Sequence, residues 1–218
     1  MVAQEFAAGT EYAIGTISCD GQHYLSHLIQ YTKTVFAGRS AIYDHVALIA
    51  FDPRHHQSLI DYTWQVLDAL GIRWGATHTE IMLTPQGPRL IETGVRMCGG
   101  PMVHFSREAS GSSQADKLVE IYLDGRLKQP IYSIRKTVMP VFIRAHRGGV
   151  IQNPDIFKAV ATLPSLFQQH LWFHQYTAVA KTEDYLSILG IIALSGHRSA
   201  VLRDLEYIRV LEKQLVIV

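Results

Sequence analysis

The dipeptide Asp20-Gly21 lies between two runs in which apolar and polar residues alternate, and it commits the start of the chain to an antiparallel hairpin. Asp-Gly is among the strongest short-range signals for a two-residue hairpin turn, and the alternation gives each flanking strand one face for a core and one for solvent. Residues 1–33, broken at Ala8-Gly9-Thr10 and again at Cys19-Asp20-Gly21-Gln22, are expected to form two or three antiparallel strands. From His56 to Gly71 the residues Leu59, Ile60, Trp64, Val66, Leu67 and Leu70 recur at helical spacing and stop at a glycine, which predicts an amphipathic helix packed on a sheet. Thr77 to Leu83 and Arg89 to Glu92 read as strands on either side of Thr84-Pro85-Gln86-Gly87-Pro88, a second hairpin.

Residues 101–125 predict two helices, with Ser113 placed to cap the second. Beyond Gly125 the texture returns to strands: Lys136 to Arg144, a turn at Arg147-Gly148-Gly149, and apolar runs near 171–181 and 186–195. A helix from about Ser199 to Lys213 closes the chain. No internal repeat is present, and antiparallel hairpins in this strand-helix-strand order point to an α+β fold over a doubly wound sheet. A boundary is expected near residue 130, dividing 1–130 from a small β-rich part at 131–218.

Composition narrows the function classes. With 218 residues, 48% hydrophobic and 18% charged, the chain can bury one good core and a small satellite. Twenty Lys plus Arg against nineteen Asp plus Glu leave a formal charge of +1, so no field draws the chain to nucleic acid or to an anionic membrane. Cys19 and Cys98 have no sequence neighbours at metal-ligand spacing, which offers no basis for a disulfide framework or a zinc site. The N-terminal residues have no export pattern, and no apolar run approaches ~18 residues; a soluble protein of the cytoplasm is expected.

Glu80 and Glu92 are the foremost candidate functional residues. Each lies on a predicted strand of one hairpin, twelve residues apart with a turn between, a separation that permits them to face each other across the ladder. Two ionised carboxylates side by side repel, and oxygen-only ligation suits magnesium or manganese held jointly with phosphate oxygens. An isolated pair of hairpin glutamates is more often solvated. Here the neighbours Ile81, Met82, Leu90 and Ile91 suggest an inward-looking environment, and Arg96, four residues after Glu92, supplies a fork suited to phosphate or carboxylate.

The run Gly71-Ile72-Arg73-Trp74-Gly75-Ala76-Thr77-His78-Thr79-Glu80, followed by Gly87-Pro88-Arg89-Leu90-Ile91-Glu92, then Arg96 and Gly99-Gly100, resembles the metal-binding signature of the ATP-grasp superfamily. It is most similar to the carboxylase-like branch that includes the L-amino-acid ligases. The resemblance implies the large-lobe antiparallel sheet of that fold with packed helices and a small β-rich C-terminal extension. It also implies Glu80 and Glu92 as magnesium ligands, Arg96 on the γ-phosphate or acyl phosphate, and His78 facing the transferred phosphoryl group. Many members have a further metal-ligating Asn where this chain has Gly94; amino-acid ligases often lack that Asn, and water is then expected in its place.

The segment Gln4-Glu5-Phe6-Ala7-Ala8-Gly9-Thr10-Glu11-Tyr12 resembles the hinge strand of the same superfamily. The likeness implies backbone hydrogen bonds to adenine around Gln4, Glu5, Phe6 and Ala7, and the ribose hydroxyls on Glu11. Taken alone, an edge strand with an exposed glutamate is the better account of it. In complete members an N-terminal substrate domain and a small phosphate-binding lobe precede this hinge, so a missing lobe or a partner chain is expected to complete the site.

Other residues carry less. His45, His55 and His56 lack a third ligand at recognisable spacing and are expected at the surface. Arg107 and Ser110 to Ser113 lie downstream of Gly99-Gly100, either at the substrate end of the site or in a capped surface helix. Cys98, close to Arg96, has no paired base. Trp172, Phe173, His174 and Tyr176 lack the interleaved basic residues of a stacking platform and are expected to pack in a core.

Taken together these features imply part of an ATP- and magnesium-dependent ligase in which a carboxylate forms an acyl phosphate that an amine captures, with an amino acid as the expected acceptor and a carboxylase-like use of bicarbonate as the nearest competitor. The contrasting expectation is a non-catalytic module that forms a homo-oligomer or pairs with another chain.

Overall fold

The computed structural model describes residues 5–36 and 39–218, and the side chains of these except at 35, 36 and 39–41. In chain order its elements are β1 (Thr10–Cys19), β2 (Gln22–Phe36), β3 (Arg39–Leu48), α1 (Pro53–Ala69), β4 (Gly75–Thr84), β5 (Gly87–Gly94), α2 (Met102–Ser110), α3 (Gln114–Asp124), β6 (Thr137–Ile143), β7 (Gly149–Val150), β8 (Leu166–Leu171), β9 (Ala178–Val179), β10 (Gly190–Gly196) and α4 (Arg198–Gln214). The chain divides into two compact units, Met1–Tyr31 with Leu48–Arg135 and Thr32–Ala47 with Lys136–Val218. No helix among the described residues is long and apolar enough to cross a membrane.

The first unit is an antiparallel sheet in the order β5-β4-β1-β2, so β5 is an edge strand within it. Asp20 and Gly21 form the turn between β1 and β2 with φ of 50° and 80°, the paired left-handed conformation whose twist matches that of the strands. One face is covered by α1, whose Leu59 and Ile60 meet Tyr12, Ile14, Leu28 and Ile81. Burying each of these aliphatic side chains fully is worth about 1.5–3 kcal/mol. The helix begins where the Asp52 carboxylate accepts from the Arg54 amide at 3.0 Å, with Pro53 in its first turn, and it is followed by Gly71 at φ 68°. His56 is a correction to the sequence reading: it is buried, because its Nδ1 accepts the Asp52 amide at 3.0 Å and its ring stands edge-on to Tyr12.

On the opposite face α3 covers the end of the sheet near Asp20-Gly21, where Ile121 packs on Ile17, Cys19 and Ala76. Ser113 caps α3 as expected, in a reciprocal box with Asp116. That carboxylate also pairs with Arg107, so Arg107 and Ser113 serve the capped helix, the ordinary one of their two sequence readings.

The second unit orders its strands β3-β6-β10-β8, and α4 sets Val201, Leu205 and Ile208 against Val141, Ile143, Ile192 and Leu194. Phe157, from a 3-10 stretch at Pro154–Thr162 that the sequence did not announce, joins this core. Of the aromatic cluster only Phe173 packs, 5.6 Å from the Phe157 ring. Trp172, His174 and Tyr176 are exposed, because the short loop between β8 and β9 turns them outward.

Two basic and two acidic side chains are grouped inside this unit. Arg144 donates to Glu212 from its amide at 2.7 Å, from Nε at 3.1 Å and from Nη2 at 2.8 Å. Its Nη1 lies 2.8 Å from Asp44. Arg209 donates to Glu212 Oε1 at 3.1 Å and to the backbone oxygens of Phe142 at 3.0 Å and Asp44 at 2.6 Å. Burial alone would raise the Asp44 pKa, but the bond from His45 and the charges of Arg209 and Arg144 outweigh it and hold the carboxyl down at about 2.

Candidate active site

Antiparallel partners project to the same side of a sheet, so the register lists the residues that share the face opposite α1. Glu11 faces Met82, Ala13 faces Glu80, and Gly15 faces His78 across β1 and β4. Glu80 then faces Glu92, and His78 faces Gly94, across β4 and β5. Glu11, His78, Glu80, Glu92 and Gly94 therefore belong to one face. Thr79 and Thr93, hydrogen-bonded through their hydroxyls at 2.8 Å, belong to the other.

A β-bulge makes this arrangement possible. Counting outward from Thr84↔Gly87, a regular ladder pairs Glu80 with Ile91 and sends Glu92 to the wrong face. The structure instead pairs Ile81 with Leu90 and Glu80 with Glu92, so Ile91 is the extra residue, and the bulge moves Glu92 opposite Glu80. β1 and β2 repeat the device: Thr16 pairs with Leu25 and Gly15 with His27, leaving Ser26 as the extra residue and bringing His27 over Gly15. Sequence reasoning missed His27, since only the bulge places it on this face.

The two carboxylates differ in environment. Glu80 is half-buried, and its Oε1 accepts from Tyr31 Oη and lies against His78 Nε2, each at 3.2 Å. Glu92 is exposed, against the inward-looking environment expected for both, because β5 has no neighbour on its outer side within this unit. Cross-strand Cβ atoms stand ~5 Å apart, and two anions so placed repel unless a cation joins them. The pair accordingly fits a hard divalent cation that takes oxygen ligands.

His78 is buried. Burial acts to lower its pKa, but Cys98 and Glu80 beside it outweigh that and push it up to about 9. The charged imidazolium offsets part of the carboxylate charge. His27, fully buried, is pushed the other way, to about 3, by burial and then by the charges of His78 and Lys117.

Arg96 is exposed just past the end of β5. Its amide donates to the Gly94 oxygen at 2.8 Å, and its side chain lies back over Gly94, where an added Cβ would meet Arg96 Nε at 3.3 Å. Glycine at this position thus gives the guanidinium its resting place beside His78's strand partner. Glu5, Phe6 and Ala7 lie in irregular chain before β1, with Phe6 almost fully exposed. Glu11 is buried. Gln4 is outside the described residues.

Gly15 is a tight point of the face, since a Cβ there would lie 2.2 Å from the His27 ring. Gly15→Ala is expected to force His27 aside and lower stability by roughly 1–3 kcal/mol, the range for overpacking a close-packed interior. A chemical-denaturation midpoint unchanged from the parent chain would contradict this.

Comparison with known proteins bears on the fold. No family model matches the chain. Dapdiamide A synthase of Enterobacter agglomerans is 37% identical over 123 residues, which cover 56% of this chain and 29% of the synthase. The solved L-amino acid ligase from Bacillus licheniformis superposes with a TM-score of 0.78 at 17% identity, covering 98% of this chain and 52% of that one. N5-carboxyaminoimidazole synthase from Aspergillus clavatus, solved in complex with ADP, gives a TM-score of 0.67 at 14% identity, covering 96% and 53%. The chain thus spans less than a third of the curated relative and about half of the solved neighbours. With its mixed α+β architecture and antiparallel strands, this chain has the fold of about half of each of these solved ATP-grasp ligases.

Proposed function

We propose that the chain supplies the cation- and phosphate-facing part of an ATP-dependent ligase that joins a carboxylate to an amine through an acyl phosphate. The observation that carries this reading is the direct opposition of Glu80 and Glu92, on the face that also holds His78 and Glu11. When bound between the two carboxylates, magnesium or manganese would neutralise phosphate charge and polarise the phosphoryl group.

The chain's own residues account for the remainder. Tyr31 and His78 fix the Glu80 carboxylate, so one of the two anions is positioned before any ligand arrives. His78 presents positive charge from beneath the site, and Arg96, solvent-accessible beside Gly94, gives up its exposed bond to the Met97 oxygen at 3.0 Å to reach a phosphate or acyl phosphate; both act by stabilising charge that develops during phosphoryl transfer. Glu11 is assigned to the ribose hydroxyls and the backbone of residues 4–7 to adenine. We assign residues 1–130 to the nucleotide lobe and 131–218 to the extension, with Thr32–Ala47 of the first segment contributed to the second compact unit. The likeness to dapdiamide A synthase and to an L-amino acid ligase supports an amino acid as one substrate.

Calorimetric titration with a non-hydrolysable ATP analogue, with and without magnesium, tests this reading. Saturable one-site binding that requires magnesium is expected. Absence of binding, or binding indifferent to magnesium, overturns it and favours a non-catalytic module that acts through another chain.

A further inference from the structure

We infer that His27, His78 and Cys98 form a buried site for a borderline or soft transition-metal ion of the zinc class, separate from the carboxylate pair. The three ligand atoms all lie within 4.8 Å of one another, and all three residues are buried. Neither ring nitrogen of His27 has a hydrogen-bond partner, and Nδ1 of His78 makes no hydrogen bond of ordinary geometry, although the His78 ring lies beside the Cys98 thiol. Buried polar atoms are nearly always paired, and an orphan among them calls for a specific occupant such as a water or an ion. Here one nitrogen of each imidazole comes within 4.8 Å of a free, buried thiol.

The fold builds this convergence. His27 on β2 and His78 on β4 are strand partners of the same residue of β1, Gly15, and stand two strand spacings apart, about 10 Å between backbones. Only the missing side chain at Gly15 lets the His27 ring lie across β1 toward His78. The Ser26 bulge supplies the matching register. Cys98 is held by Gln114, whose Oε1 accepts the Cys98 amide at 2.8 Å while its Nε2 donates to the Thr16 and Thr77 oxygens at 3.1 and 2.8 Å. Neither cysteine has neighbours at metal-ligand spacing along the chain; the ligands come together only through three separate segments.

Ligand chemistry selects the ion. Two imidazoles and a thiolate suit zinc or its d-block neighbours and exclude magnesium as the preferred guest. Zinc bond lengths of about 2.0–2.3 Å place tetrahedral ligands roughly 3.3–3.8 Å apart, so the three groups, now within 4.8 Å of one another, close in by about 1.5 Å at most. His78 has the outer contact that metal-bound histidines usually have, Nε2 against the Glu80 carboxylate at 3.2 Å, which orients Nδ1 toward the metal. Coordination displaces the protons of Nδ1 and the thiol, which leave to solvent. An ion here would tie the Arg96–Cys98 segment to the sheet.

Cobalt(II) is the probe, titrated into the full chain in excess magnesium. Stoichiometric uptake with a near-ultraviolet thiolate-to-cobalt charge-transfer band is expected, reversed by zinc. The band should vanish in Cys98→Ser and persist in Cys19→Ser, and affinity should fall by at least about 10-fold in His27→Gln, the low end even for groups outside the first coordination shell. Circular dichroism checks that each variant folds, and if Cys98→Ser does not, the His27→Gln titration decides. No charge-transfer band in the parent chain, or a band and affinity indifferent to these changes, overturns the site. Glu92→Gln should leave the cobalt spectrum intact, which separates this site from the nucleotide reading.

Discussion

Changing Glu92 to glutamine is expected to weaken magnesium-dependent nucleotide binding by roughly 100-fold, about 3 kcal/mol, while leaving the thermal unfolding midpoint close to that of the parent. The side chain is exposed on an edge strand, so an isosteric amide disturbs no packing, and what is lost is one of two anionic ligands. Glu80→Gln should behave differently. Its carboxylate is half-buried against Tyr31 and His78, so losing the charge leaves a buried imidazolium without its counter-ion, and binding and stability fall together. Titration calorimetry and thermal melts on both variants check the contrast. Equal affinity of Glu92→Gln and the parent would remove Glu92 from the site.

The second large effect lies in the other unit. Glu212→Gln is expected to cost about 3–5 kcal/mol, the usual penalty for breaking a buried ion pair by removing one partner. Glu212 accepts three hydrogen bonds from Arg144 and one from Arg209, and both it and Arg144 are buried. The amide would leave two guanidinium groups facing Asp44 alone. Exchanging Arg144 and Glu212 together for apolar residues should recover much of the loss, since the desolvation of both charges disappears with them. Asp44 adds a pH signature to the same group. Its folded pKa, about 2, lies below the ordinary 3.8, so its contribution is present above pH 4 and is lost as pH falls toward 2. Urea denaturation of the variants, and of the parent across that window, reads both effects; a flat profile would contradict the Asp44 assignment.

Legibility in the sequence followed the range of the interaction. Asp20-Gly21, the apolar spacing from Leu59 to Leu70 and the Ser113 cap are local signals, and each led to the element found. β3 had no such signal: it was assigned no element, since its partner β6 begins at Thr137. The opposition of Glu80 and Glu92 was anticipated, yet the bulge at Ile91 that produces it was not, because a one-residue insertion leaves the alternation on either side intact. His27 escaped notice for the same reason. The resemblance to ATP-grasp ligases rested on motif order and led to the right fold, whereas the environment of Glu92 depended on strand position in the sheet, which the motif does not encode.

During synthesis, β3 is made long before the strand that will lie beside it in its own unit. At ~5–20 residues per second, the roughly ninety residues from Leu48 to Thr137 take about 5–20 seconds to emerge, and through that interval β3 is an uncovered edge. Asp44, a charge at a position destined for the interior, is the kind of residue that discourages stray pairing by such an edge. The two arginines that later neutralise it, Arg144 and Arg209, arrive only with β6 and α4. The same carboxylate thus puts a charge on the edge of the nascent chain and then becomes part of the finished unit's ion-pair group.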